Sequence, residues 1–562
     1  LSPPAAAPGA PRATSAGSLR ASAREIAPLA WPVLVGQVSV LAFATVDTLL
    51  VARYSAVDLA ALAVGAAAYI TIFIGFMGVV LAVSPIAGQL FGAGQHAQAG
   101  HQAHQAVWVA LGLSVLGSTL LVFPAPFLAL SQASPEVADK VRGYLLALAF
   151  SLPASLLFTV FRGFNTAVSR PKAVMLLQVG ALAVKVPASA ALVWGVPSLG
   201  LPALGVVGCG IATGIAMWVQ ATAAWWVVRR DPFYERFALA GRGLDRPDRR
   251  ALAAHLRLGL PMGASILIEV SGFSFMALFI SRLGTTPAAG HQIAVNMATL
   301  MFMLPLAMAS ACSTLVAQRV GARDAGGAAR IAAHGLLLGG ALSALLATVV
   351  ALGGPHIVGL YTRDAAVAAV ALPLMAWVAL FHVADAVQTI AAFALRAFRI
   401  ATVPLLIYAA SLWGLGLGGG YAVALDLGGL TPPALQGAPG FWFASTVGLT
   451  VAGLALSGFL FWVLRRSLMP AGQAGKVIVK QLPPPSRGVQ RASPPWRRAI
   501  WRTSASPRPT PPARSAWPGR RRKGSKTRSR QASGTPGPRS HTRSSVPPAA
   551  CGETETRISP PP

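Results

Sequence analysis

The chain of 562 residues is 54% hydrophobic and 11% charged, with a mean hydropathy of +0.60, values outside the range of soluble globular domains. Its net charge of +30 is unevenly spread: residues 471–562 carry 19 Lys or Arg against 2 acids, so the tail holds +17 and the rest +13. That remainder suits arginine-rich loops flanking membrane spans and requires no nucleic-acid partner. Three cysteines, Cys209, Cys312 and Cys551, are too far apart for a disulfide frame or a zinc site and read as packing residues.

The first residue is Leu1 rather than methionine, which reads as a misplaced start or a fragment, and residues 1–24 read as a cytoplasmic extension without the apolar core of a signal peptide. Apolar runs then follow at 26–52, 59–84, 105–131, 138–162, 173–195, 203–228, 258–281, 288–316, 331–358, 367–394, 402–425 and 440–464. Each is near or above the roughly 20 residues that cross a bilayer as a helix. The fold class is therefore an all-α polytopic membrane protein with twelve transmembrane helices. Residues 426–441, with Gly428-Gly429 and Pro432-Pro433, read as a long loop.

Lys and Arg alternate strongly between loops. One side receives Arg162, Arg170, Arg229 to Arg257, Arg319, Arg396 and Arg465-Arg466, and the other only Arg53, Lys140, Arg142, Arg282 and Arg363. The rule that basic loops stay inside then places both termini in the cytoplasm. Shifting the chain by 229 residues sets Pro32 on Pro261, Ser84 on Ser313, Gln89 on Gln318 and Gly92 on Gly321; after a short indel, Arg162-Gly163-Phe164 faces Arg396-Ala397-Phe398. The halves are repeats. Six spans per half is an even number, so the repeats are parallel lobes around a central cavity. The expected divisions are 25–230 for the first lobe, 231–256 for a cytoplasmic linker or hinge, 257–468 for the second lobe and 469–562 for a tail.

Three carboxylates stand within apolar helices, where an uncompensated charge costs about 3 kcal/mol or more: Asp47, Glu269 and Asp385. At about 1.5 Å per residue, Glu269 and Asp385 lie at matching depth, about 16 to 18 Å from the basic side, while Asp47 lies about 9 Å from the opposite side. Close carboxylates in a dry site share a proton or bind a cation, so these three are candidate cation or proton-coupling residues. Lys185 falls within the fifth span, near enough in depth to Asp47 for an ion pair that would occupy the place of a sodium ion there. Asp58, Asp139, Asp231, Asp248 and Asp364 lie near span ends and read as solvated.

The stretches Phe43-Ala44-Thr45-Val46-Asp47-Thr48, Pro261 with Ile268-Glu269-Val270-Ser271, His291-Gln292-Ile293-Ala294-Val295-Asn296, and Ala384-Asp385-Ala386-Val387-Gln388 occur in this order. Over residues 24–468 they make the chain resemble a multidrug and toxic compound extrusion (MATE) transporter of the NorM-like bacterial branch. The resemblance implies a monomeric antiporter of the inner membrane that exports cationic amphipathic compounds against sodium ions or protons, with no cofactor. It implies that Glu269 and Asp385 serve the cation, that Asp47 serves protonation or substrate, and that Gln292 and Asn296 line the substrate cavity. Lys185 and Ser189 depart from the asparagines frequent in the family at those places.

His96, His101 and His104 read as a solvated loop without a carboxylate to complete a metal set, and His291 as either a packed side chain or a proton relay. Gly92-Ala93-Gly94 lacks the Gly-Lys-Ser/Thr ending of a phosphate loop. The Pro-, Arg- and Ser-rich tail reads as disordered, with contact to anionic lipid or a frame-shifted gene end as further readings. A major-facilitator carrier would show an Asp-Arg signature within 92–105, which is missing. A lipid flippase of the wider superfamily remains the alternative, and would be expected to line its cavity with several Arg or Lys.

Overall fold

The computed structural model describes residues 17–131, 134–239 and 243–468. The extension before residue 17 and the tail after 468, including Cys551, lie outside them. Among the described residues twelve helical segments are long and apolar enough to cross a membrane, as expected. The first lobe comprises α1 (Leu19–Ala52), α2 (Ala56–Val80), α3 (Val83–Gly92), α4 (His96–Val122), α5 (Ala125–Ser131), α6 (Pro135–Ala167), α7 (Pro171–Trp194) and α8 (Gly205–Arg230). The second comprises α9 (Arg249–Ser281), α10 (Thr285–Gly321), α11 (Ala325–Tyr361), α12 (Ala365–Ala397), α13 (Thr402–Tyr408), α14 (Gly419–Ala424) and α15 (Ala438–Leu468). Helices α2 and α3 form one span, as do α13 and α14, which are joined by a π-helical stretch, Ala409–Gly418, rich in glycine.

Helix ends follow local chemistry. Ser55 caps α2, Asp248 caps α9, Asp324 caps α11 and Asp364 caps α12, each side chain accepting an otherwise orphaned backbone N–H. Asp58 corrects the solvated reading. It is buried, accepts from Lys140 Nζ at 2.8 Å and from the Val206 amide at 2.8 Å, and thereby ties α2 to α6 and α8. Gly205, at φ +55, makes room for it, because a Cβ there would stand 2.3 Å from Asp58 Oδ1.

The repeat governs packing. In each lobe the fourth span is the hub: α6 packs on α2, α4 and α8, and α12 packs on α10, α11 and α15. The lobes meet toward the end where Arg170, Arg319, Arg323 and Arg399 cluster, here called the basic end. There the residues that mark the repeat become a reciprocal clasp. Gln89 Nε2 donates to the Ala397 carbonyl at 2.7 Å, and Gln318 Nε2 donates to the Ala167 carbonyl at 2.7 Å. Gly92 lies flat on the Gln318 carbonyl and Gly321 on the Gln89 carbonyl, so closely that a Cβ at either would stand 1.9 Å from the oxygen. Ser22 with His334 (2.7 Å) and Glu25 with Arg319 (3.0 Å) add to this side of the contact.

Overpacking of this kind costs about 1 to 3 kcal/mol. The double variant Gly92→Ala with Gly321→Ala is therefore expected to part the lobes at the basic end. Labelling of Ser313→Cys by an impermeant maleimide from that side should rise by about tenfold. Unchanged labelling would show that the clasp does not hold the lobes together.

The linker is not the free hinge expected. A 3-10 turn, Pro232–Phe237, folds back on the first lobe, where Arg170 pairs with Asp231 at 2.6 Å and Tyr234 donates to Asn165 Oδ1 at 2.6 Å. Its far part is held by α4: His101 Nδ1 lies 2.8 Å from Asp245 Oδ2, Trp108 Nε1 donates to the Asp245 carbonyl at 2.8 Å, and Gln105 bonds both the Arg246 carbonyl and the Asp248 amide. The three histidines thus belong to α4 rather than to a loop, and a carboxylate does reach two of them, since His104 Nδ1 is 3.2 Å from Asp245 Oδ2. His101 holds the Asp245 carboxyl below the ordinary carboxylate range. This contribution is present above the unfolded pKa and fades as pH falls through the lowered value. Residues 249–256, assigned to the linker from sequence, are already the first turns of α9.

Candidate functional site

Between the lobes lies a cavity of about 490 Å³, a size suited to one small molecule. Its lining is mainly apolar, with Met77, Met262, Phe273, Phe302, Phe381 and Phe393 among the walls. The polar groups converge in two patches, one from each lobe. The second lobe presents Glu269 from α9, Asp385, Thr389 and Arg396 from α12, and Tyr408 from α13; the first presents Gln37, Arg162, Thr166 and Gln178.

Glu269 and Asp385, expected at one depth, both line this cavity. Asp385 is held by its own helix: Oδ1 accepts from Gln388 Nε2 at 2.8 Å, with Thr389 Oγ1 at 3.5 Å. Gln388 is fully buried, donates also to Thr389 Oγ1 at 2.9 Å, and accepts from the Tyr408 hydroxyl. A chain Tyr408–Gln388–Asp385 therefore fixes the carboxylate. Two carboxylates and a phenol on the wall of a largely apolar cavity, with the Gln388 amide behind them, form a set that can take up a proton or a monovalent cation.

Asp47 is placed elsewhere. It does not line the cavity but closes a cluster among α1, α7 and α8, where Lys185 Nζ lies 2.7 Å from Oδ1 and 3.0 Å from Oδ2 and Ser189 Oγ donates to Oδ1 at 3.2 Å. Lys185 is fully buried and also donates to the Cys209 carbonyl at 3.1 Å and to Thr213 Oγ1 at 2.7 Å. Its three protons thus have three acceptors, and the ion pair expected from helix depth is formed. Both lysine and carboxylate are satisfied by the protein alone.

Gln292 and Asn296 are exposed and hydrogen-bond each other at 3.0 Å. They share a face of α10 with Thr299, which lines the cavity, but stand one and two turns farther from the basic end and are not part of the lining. His291 packs on Trp442, whose Nε1 donates to its Nδ1 at 3.2 Å, and it too stays outside the lining. Arg162 and Arg396, counted from sequence among the cytoplasmic flanks, correct that reading because they face the cavity. Their matched places in the repeat were the available signal. Tyr408 carried none, because only the fold brings α13 against α12.

The sequence profile of the MatE family matches residues 32–190 and 261–422, the two lobes in turn. A probable multidrug resistance protein NorM of Aromatoleum aromaticum is 40% identical over 440 residues, 78% of this chain and 93% of that protein. The multidrug resistance protein MdtK of Yersinia enterocolitica is 33% identical over 447 residues, 79% of this chain and 96% of that one. In architecture the chain is similar to the crystal structure of the eukaryotic MATE transporter AtDTX14, with a TM-score of 0.71, 18% identity, and coverage of 80% of this chain and 98% of the other. Two matched lobes, a shared cavity between them and near full-length likeness to these relatives agree: the chain belongs to the MatE family.

Proposed function

We propose that the protein is a secondary antiporter that exports cationic amphipathic compounds in exchange for sodium ions or protons, acting as a monomer in the bacterial inner membrane with both termini cytoplasmic. The observation that carries this is the placement of Glu269 and Asp385 in one apolar cavity between two parallel lobes. Occupation of such a pair by an ion changes the charge that the lobes enclose, and so can bias which end is closed. The relatives named for multidrug resistance give the substrate class. Coupling is assigned to Glu269 and Asp385 alone, because the carboxylate of Asp47 is already neutralised by Lys185.

Cells making the protein should accumulate less of a cationic dye than cells without it. The difference should vanish with an ionophore that collapses either the sodium or the proton gradient, and which one does so names the ion. Equal accumulation in both cell types, with the protein present in the membrane, refutes the proposal. Arg162 and Arg396 in the cavity favour a second reading, a flippase for a lipid with an anionic head group. It ranks lower because Glu269 and Asp385 line the same cavity and their charge opposes an anionic head group.

A further inference from the structure

Each lobe ends its last span in the same way. Helix α8 closes on Trp225-Trp226-Val227-Val228-Arg229-Arg230 and α15 on Phe461-Trp462-Val463-Leu464-Arg465-Arg466, two aromatic residues one turn before two arginines. Each guanidinium stands over the ring one turn back. Arg229 Cζ lies 5.0 Å from the Trp225 ring centre and Arg230 Cζ 5.8 Å from that of Trp226, with Arg465 on Phe461 at 4.2 Å and Arg466 on Trp462 at 3.9 Å. Such a pair suits the edge of a bilayer, the ring for the hydrocarbon and the cation for the head groups. In the first lobe this seat leads into a groove. Ile211, Ile215, Trp218, Thr222, Trp225 and Arg229 follow at helical spacing along one face of α8. At the far end of that face, Ile211, Gly214, Ile215 and Trp218 border an apolar groove against Ala147 and Phe150 of α6. The Trp218 indole makes a fixed wall, because its Nε1 donates to the Phe150 carbonyl at 2.9 Å. Gly214 leaves the space, since a Cβ there would have only the Ala147 carbonyl within reach, at 4.0 Å. Thr222 turns its hydroxyl onto the Trp218 carbonyl of its own helix at 2.7 Å, so the path from the groove to the arginines stays apolar.

We propose that this face of α8 binds an anionic phospholipid, with its phosphate on Arg229 and Arg230 and one acyl chain lying along Trp225 and Thr222 into the groove beside Trp218. Length and charge both fit. Trp218 precedes Arg229 by 11 residues, about 16 Å, and half of a hydrocarbon core of about 30 Å is the depth that one leaflet's chain reaches. Phe150, Trp218 and Trp225 are 70%, 45% and 59% exposed, so the face lies on the outside of the lobe, where the bilayer meets it. Among the described residues Arg229 and Arg230 form no ion pair, and their planar forks of donors match a phosphate. A choline head group would bring a further cation to the same place and is disfavoured.

The purified full-length protein is placed in nanodiscs of phosphatidylcholine containing a small fraction of phosphatidylglycerol with a photoreactive diazirine near the end of one acyl chain. Residues labelled on irradiation are mapped by mass spectrometry. Adducts should concentrate on residues 211–219 of α8 and on Phe150 of α6, and the same diazirine carried by phosphatidylcholine should label them about tenfold less. Arg229→Gln with Arg230→Gln should remove that preference. Gly214→Leu, whose side chain has room, should fill the groove and block labelling there. Arg465→Gln with Arg466→Gln, which takes the same charge from the other lobe, should leave the labelling intact. Equal labelling by the two lipids overturns the proposal, as does labelling that survives the α8 arginine changes or Gly214→Leu, or that the α15 changes abolish as well. A second copy of the chain as occupant of the groove would also overturn it: labelling would then persist in nanodiscs that hold one copy and disappear in those that hold two.

Discussion

Glu269→Gln and Asp385→Asn should each reduce gradient-driven dye export to the background of cells without the protein, while leaving its amount in the membrane unchanged. The two carboxylates face one cavity, and Asp385 is tethered through Gln388 to Tyr408, so removing either charge removes the unit that takes up the ion. Two acids that serve one ion act as a unit. The double variant should accordingly be no worse than either single one. Export rates are compared in vesicles with matched protein levels. Normal export by both single variants and by the double would rule out this site as the place of coupling.

The second large effect concerns stability rather than transport. Lys185→Asn leaves Asp47 as a buried carboxylate held only by Ser189 and should cost about 3 to 5 kcal/mol, the usual penalty for breaking a buried ion pair from one side. Combining it with Asp47→Asn removes the stranded charge, so much of the loss should return. The readout is the monodisperse fraction that survives heating in detergent. A single variant as stable as the parent, or a double variant worse than either single, would contradict the arrangement. Export by a folded double variant further separates the assignments, because coupling confined to Glu269 and Asp385 does not need Asp47.

That ion pair was legible from sequence because a lysine and an aspartate at similar depth in apolar helices have few other ways to be satisfied. The twelve spans and the two lobes were legible for a related reason: the bilayer imposes one length, and the repeated Gln89/Gln318 and Gly92/Gly321 pairs serve one structural purpose twice. Charge proved a poor guide to helix ends. Arg257 reads as a boundary although α9 begins at Arg249, and Arg162 and Arg396 read as flanks although they line the cavity. The Gly-, Gln- and His-rich composition of 95–105 disguised the start of α4, whose polar face is covered by the linker. The network from Tyr408 to Asp385 depends on contact between separate helices, which no local pattern encodes.

Asp248 has a double attachment: its amide is held by Gln105 of the first lobe, and its carboxylate accepts from the Arg250 amide to start the first helix of the second. This makes it a fulcrum. Helix α9 is 33 residues long, about 50 Å at the usual rise, and it begins at that point. Tilting such a lever by about 10° displaces its far end by about 9 Å, while the near end hardly travels. Bonds at the basic end can therefore stay within reach through the early part of a swing that already carries the far end of α9 by several ångströms.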